Sequence, residues 1–74
     1  MNKKRRKQIA CVVEKLQHGA SVLMEVQEEE QMAFDNLPEG IQYSERGEKM
    51  EEAISTIEEA VSRVEDIIQN LEEL

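Results

Sequence analysis

Seventy-four residues with 39% hydrophobic side chains, 35% charged ones, no tryptophan and a formal net charge of −8 bound the chain to one small domain. The apolar content is too high and too regular for an acidic disordered tail, yet it is thin against the roughly 1.5 kcal/mol that ordering each residue costs, so self-association is expected. One cysteine, Cys11, excludes an intramolecular disulfide. The opening MNKKRRKQIACVV lacks the apolar run of a signal peptide, and no stretch is long enough to span a membrane.

Residues 1–8 read as a basic arm. Lys3, Lys4, Arg5, Arg6, Lys7 and Lys15 are set against Glu14 alone, which gives residues 1–24 a net charge of +5. Residues 25–74 oppose sixteen acids to Arg46, Lys49 and Arg63, a net of −13. A basic arm on an acidic body fits self-complementation or two different partner surfaces.

The first helix is predicted over 9–36, with helical backbone reaching back to about residue 4 and a length of about 50 Å. Ile9, Leu16, Leu23, Glu30 and Leu37 recur at sevens. Val12, Gly19, Val26 and Ala33 lie three residues later in the repeat, and Val13, Ala20 and Phe34 lie next to those. Glu30 is costly if buried alone, so the helices are expected to splay there and let it reach water; Lys49 or Arg46 is the alternative partner. Gly19 is expected to allow close approach of the opposite helix.

The helix should stop before Pro38, because the residue preceding a proline is pushed out of the helical region. Leu37-Pro38-Glu39-Gly40 is a turn signal, and the connection is predicted over 37–44. Ile41, Gln42 and Tyr43 are expected to plug the end of the helix pair. Ser44 is the N-cap candidate for the second helix, with Glu45 and Glu48 suitably acidic behind it. Gly47 is expected to weaken that start by about 1 kcal/mol relative to alanine.

The second helix, predicted over 45–74, carries the clearest pattern. Met50, Ile57, Val64 and Leu71 hold the first position of a heptad. Ala53, Ala60, Ile67 and Leu74 hold the second apolar position, and Ile54, Val61 and Ile68 the third. Three apolar positions in seven make a wider face than a two-stranded seam needs. Laid antiparallel, first positions can meet second positions: Ile9 with Leu74, Val12 with Leu71, Leu16 with Ile67, Gly19 with Val64. The expected fold is therefore all-α, a two-helix antiparallel hairpin in a single domain. The third positions Val13, Ala20, Phe34, Ile54, Val61 and Ile68 would stay half exposed and join two copies into a four-helix bundle.

Chemistry-bearing arrangements are sparse. The run from Lys3 to Lys7 can displace counterions from phosphates, but the acidic body opposes a nucleic acid and no aromatic residue is interleaved for stacking. Ten carboxylates from Glu45 to Glu73 line the outer side of the second helix; the plain reading is a solvated face, the sharper one a DNA mimic. Carboxylate metal sites in bundles use Glu-x-x-His from two helices. The sole histidine, His18, follows Glu14 by four residues, and both point away from the apolar face. No nucleophile–base pair, phosphate loop or zinc spacing occurs, so no catalytic, cofactor or metal site is expected and the protein is expected not to be an enzyme.

The segment FDNLPEGIQYSERGEKMEEAI, residues 34–54, together with the opening NKKRRKQI and the acidic Ala/Ile-rich end, resembles small uncharacterised helical proteins of Firmicute phages and mobile elements. The resemblance implies a phage or mobile-element context and draws attention to the turn residues Asn36, Leu37, Pro38, Ser44, Glu45 and Arg46; with no signal peptide or membrane span read in the sequence, the expected location is the cytoplasm of a bacterial host cell. The expected function is a non-enzymatic interaction module that binds itself and an unidentified protein. Lys3, Lys4, Arg5, Arg6, Lys7, Asn36, Tyr43, Glu45 and Arg46 are the candidate partner-binding residues. The alternatives are an acidic inhibitor of a nucleic-acid-binding or defence protein, and a nucleic-acid-binding regulator acting through the basic arm.

Overall fold

The protein is all-helical. A computed structural model describes residues 1–74 and contains three helices and no strand: α1 (Lys3–Asp35), α2 (Glu39–Gln42) and α3 (Glu45–Glu72). The molecule measures 58 × 14 × 13 Å, a long body in which α1 and α3 lie side by side. At one end the Arg6 guanidinium donates to the main-chain oxygen of Leu74 at 3.1 Å; at the other end the short α2 joins the two long helices.

Local chemistry explains the boundaries. Asn2 has an extended backbone and its Oδ1 accepts from Arg5 N at 2.8 Å, so it caps α1 and satisfies one of the first four orphan amides. The basic run therefore forms the first turns of α1 instead of a separate arm. No acidic residue relieves the dipole there, and no basic residue does so in the last turn of α3. Arg6 spans the two ends and offers its donors to Leu74 and to Met1 O. Helix α1 ends at Asn36, two residues before Pro38. Ser44 sits at the N-cap of α3, but its side chain makes no capping bond and its hydroxyl donates back to Ile41 O.

The connection is built differently from the sequence expectation. It contains the one-turn helix α2, so the expected two helices are three. Tyr43 is 78% exposed and Ile41 also reaches solvent, so neither plugs the pair. Gln42 closes that end instead, with Nε2 donating to Phe34 O at 3.1 Å in a part-buried bond. Gly47 is buried, and a Cβ built on it would collide with the Gln42 carbonyl and stand 2.7 Å from Ile41 O. Glycine is required there by the α2 backbone. Gly19 is the reverse: it is exposed and a Cβ would meet nothing within 4 Å, so it supports no close approach.

The largest correction concerns the seam. The buried apolar residues are Val13, Ala20, Ile54, Val61 and Ile68, which the heptad reading had left outward. The half-buried residues of the two long helices fall between and beside them: Ile9, Leu16, Leu23, Gln27, Glu30, Phe34 and Leu37 on α1 and its end, and Met50, Ile57, Ala60, Val64 and Leu71 on α3. First and third positions thus form the seam, spaced four and three apart, and of the second positions only the small Ala60 is half buried, the rest being exposed. Side-chain size is the physical reason. In α3 the third position is Ile, Val and Ile, while the second is Ala, Ala and Ile before Leu74; burying the larger β-branched set removes more apolar area from water. Glu30 is half exposed and has no ion-pair partner, since Lys49 pairs with Glu45 at 3.3 Å on the surface.

Candidate functional site

Two antiparallel helices are related by a two-fold axis that crosses their seam at right angles, so equivalent shoulders of the seam look the same way. The shoulder one residue before the third position carries Val12, Gly19, Val26 and Ala33 on α1, and Ala53, Ala60, Ile67 and Leu74 on α3. The opposite shoulder carries Ala10, Gln17, Met24 and Gln31 with Glu51, Glu58, Glu65 and Glu72. A shallow hollow where Gln17, Ser21 and Met24 gather with Glu65 around Ala20 and Ile68 confirms that second grouping.

The two sides therefore differ in kind. On the first, Val12 is 47% exposed, Val26 42%, Ile67 48% and Leu74 53%, with alanine and glycine between them. Val22 borders the same side. This is an apolar strip running the length of the molecule, with no part of the chain over it. Its outer rim holds Lys15 and Glu29 on α1, and Lys49, Thr56, Arg63 and Asn70 on α3. The second side and the outer surface of α3 hold the carboxylates. Glu45, Glu48, Glu51, Glu52, Glu58, Glu59, Glu65, Asp66, Glu72 and Glu73 are all exposed. Only Glu45 and Glu59 make ion pairs, to Lys49 and to Arg63 at 2.6 Å. Such exposed i,i+4 pairs contribute a few tenths of a kcal/mol each.

The sequence-derived candidates scatter. Val13, Ala20, Ile54, Val61 and Ile68 lie inside the seam and Phe34 is half buried on it, so this set is unavailable as the surface that was expected to join two copies. The apolar strip that remains is the second-position set. Lys3, Lys4, Arg5, Arg6 and Lys7 stand at one end of the molecule; Asn36, Tyr43, Glu45 and Arg46 stand at the other, about 45 Å away along α1. They form two end surfaces, not one site. Arg6 is already engaged with Leu74. Asn36 caps the C-terminus of α1 through its backbone amide, and Tyr43 does the same for α2 while its ring faces solvent.

A second hollow, of about 410 Å³, lies at the end where α1 starts, between Met1, Ile9, Ala10 and Val13 and the α3 residues Leu71 and Leu74, with Arg6, Glu14 and Glu72 at its edge. No three of the His, Cys, Asp and Glu side chains converge to hold a metal ion. His18, Glu14 and Cys11 are exposed. No helix is long and apolar enough to cross a membrane. No protein-family model, curated protein or solved structure matches the chain.

Proposed function

We propose that the protein is a small non-enzymatic interaction module that works by contact through its helical faces. The observation that carries this reading is the uncovered apolar strip, bounded on its far side by carboxylates. A surface of this kind, continuous and one-sided, fits association better than solvation. The arrangement is a helical hairpin with a one-turn helix in its connection. The likeness of residues 34–54 to small phage and mobile-element proteins supports that origin and a cytoplasmic setting in a bacterial host.

Retention of proteins from a bacterial lysate tests the reading. Immobilised wild-type protein should hold partners that a Val26→Glu, Ile67→Glu variant releases. Both residues are exposed, so the helical content should be unchanged by circular dichroism. Identical retention by the two forms refutes a role for the strip.

A second reading rests on α3, where ten exposed carboxylates follow one helix and imitate the charge of a phosphate backbone. In that case a charge-reversed α3 loses a nucleic-acid-binding partner while the strip variant keeps it. The nucleic-acid-binding alternative has less support, because Arg6 is committed to Leu74 and the remaining basic residues occupy one tip of an acidic body. A mobility-shift titration that stays blank at low salt removes it.

A further inference from the structure

We propose that the basic end of the molecule docks end-on against an anionic lipid surface, with the start of α1 at the headgroups and the acidic body standing away from them. The inference concerns the tip and goes beyond the strip on which the interaction reading rests.

Sequence and register place the charge. No acid precedes Glu14, and Lys3–Lys7 are five consecutive cations. Leu74 lies beside Arg6, so Met1–Arg5 stand ahead of the end of α3. All five cations are exposed, and the two ion pairs of the chain, Lys49 with Glu45 and Arg63 with Glu59, leave them without a carboxylate. Five cations against Glu72 and Glu73 give the tip a net of +3 in a chain of −8.

Helical geometry favours a plane over a polymer. Successive residues of α1 are about 100° apart, and the basic run rises about 6 Å. Arg6 folds back to Met1 O and Leu74 O, while Lys3, Lys4, Arg5 and Lys7 stand on three sides of the axis. A nucleic acid lying along α1 meets about two of them, and its length runs beside the acidic body. A surface crossing the axis comes within reach of all four, because the long stems of lysine and arginine carry their charge toward it. The molecule is 58 Å long, and exposed charges are largely screened beyond about 10 Å at 0.1 M salt. Most carboxylates of α3 therefore do not oppose an end-on contact.

Apolar contact agrees. Met1 is 59% exposed and Leu74 53% at this end, and both border the hollow walled by Ile9, Val13 and Leu71. Basic charge joined to a short apolar insertion holds a peripheral protein to an anionic bilayer without spanning it.

Co-sedimentation of the full chain with lipid vesicles tests the proposal. Mixed phosphatidylglycerol–phosphatidylcholine vesicles should retain it at low salt, and pure phosphatidylcholine vesicles should not. Each cation near such a surface strengthens binding about fivefold, so Lys3→Gln with Lys4→Gln should lower the partition coefficient about 25-fold. Lys15→Gln with Lys49→Gln makes the same change of net charge on the body and should leave it unchanged, since Lys15 stands about 12 Å behind Lys7. Acetic anhydride footprinting on the mixed vesicles should protect Lys3, Lys4 and Lys7 and leave Lys15 and Lys49 reactive. Equal losses in the two double variants overturn the tip as the contact, and protection of Lys15 with the first three overturns the end-on orientation. No retention on mixed vesicles, or equal retention on pure phosphatidylcholine, overturns the anionic surface. Tighter binding to duplex DNA at the same salt overturns it in favour of nucleic acid. The lysate test of the strip is independent of all these results, so either reading can fail alone.

Discussion

Replacing Gly47 by alanine should destabilise the protein although the same change at Gly19 stabilises it. Both residues are helical and neither has a positive φ, so intrinsic propensity favours alanine at each by about 0.8–1 kcal/mol. At Gly19 nothing stands within 4 Å of the added Cβ, and the gain should appear almost whole. At Gly47 the methyl group must displace the Gln42 carbonyl, and Ile41 O stands 2.7 Å away. These are backbone atoms of α2, so no side chain can swing aside. Overpacking of this kind costs about 1–3 kcal/mol, and moving α2 also strains the bond from Gln42 to Phe34 O, a loss of about 1 kcal/mol. The net expectation is a destabilisation of about 1–3 kcal/mol, or a fall in Tm of roughly 5–20 °C for a chain of this size. Gly19→Ala should raise Tm by about 4–8 °C. Thermal unfolding followed by circular dichroism, at one fixed protein concentration so that association does not shift the midpoint, measures both. A Tm for Gly47→Ala as high as that for Gly19→Ala would show that the packing of α2 on α3 described above is wrong.

Four further predictions concern the seam and the caps. Ile54→Ala should cost about 2–4 kcal/mol in urea unfolding, whereas Ile67→Ala, at a position 48% exposed, should cost less than about 1 kcal/mol; equal losses at the two sites would mean that the seam has been placed on the wrong stripe. Asn2→Ala removes a side-chain acceptor and should cost about 1 kcal/mol, read as faster hydrogen exchange in the first turn of α1. Ser44→Ala should cost less than that, because its hydroxyl makes no capping bond and Ile41 O keeps the bond from Ser44 N at 3.0 Å. Glu30→Leu replaces an unpartnered carboxylate on the seam and should stabilise the chain by about 1 kcal/mol; a loss would reveal a partner for Glu30.

Both long helices can be read from the sequence, because apolar residues at spacings of three and four persist over many turns. The stop before Pro38 is equally legible, since proline restricts the residue in front of it. Which two of three stripes meet is harder. A face three positions wide satisfies the heptad pattern with either pair, and turn length fixes the register only to within a few residues. The deciding signal is volume: Ile54, Val61 and Ile68 outsize Ala53 and Ala60, and that contrast places the larger set inside. The one-turn helix α2 leaves almost no trace in four residues, EGIQ, and Gly47 looks like a weak helix start until the carbonyls above it are seen. The candidate surface was legible as a leftover stripe and misassigned with the seam, so its residues shifted by one position in each heptad.

The polar members of the seam, Gln27 and Glu30, lie in the half nearest α2, while the half nearest Arg6 and Leu74 is apolar throughout. Adhesion is thus strongest where the chain supplies no tether, and weakest where the loop itself holds the helices at high effective concentration. A protease cutting at the exposed Tyr43 would release that tether without touching the greasier half. The two fragments should then stay together on a sizing column, and a single cut would convert one polypeptide into a two-piece complex.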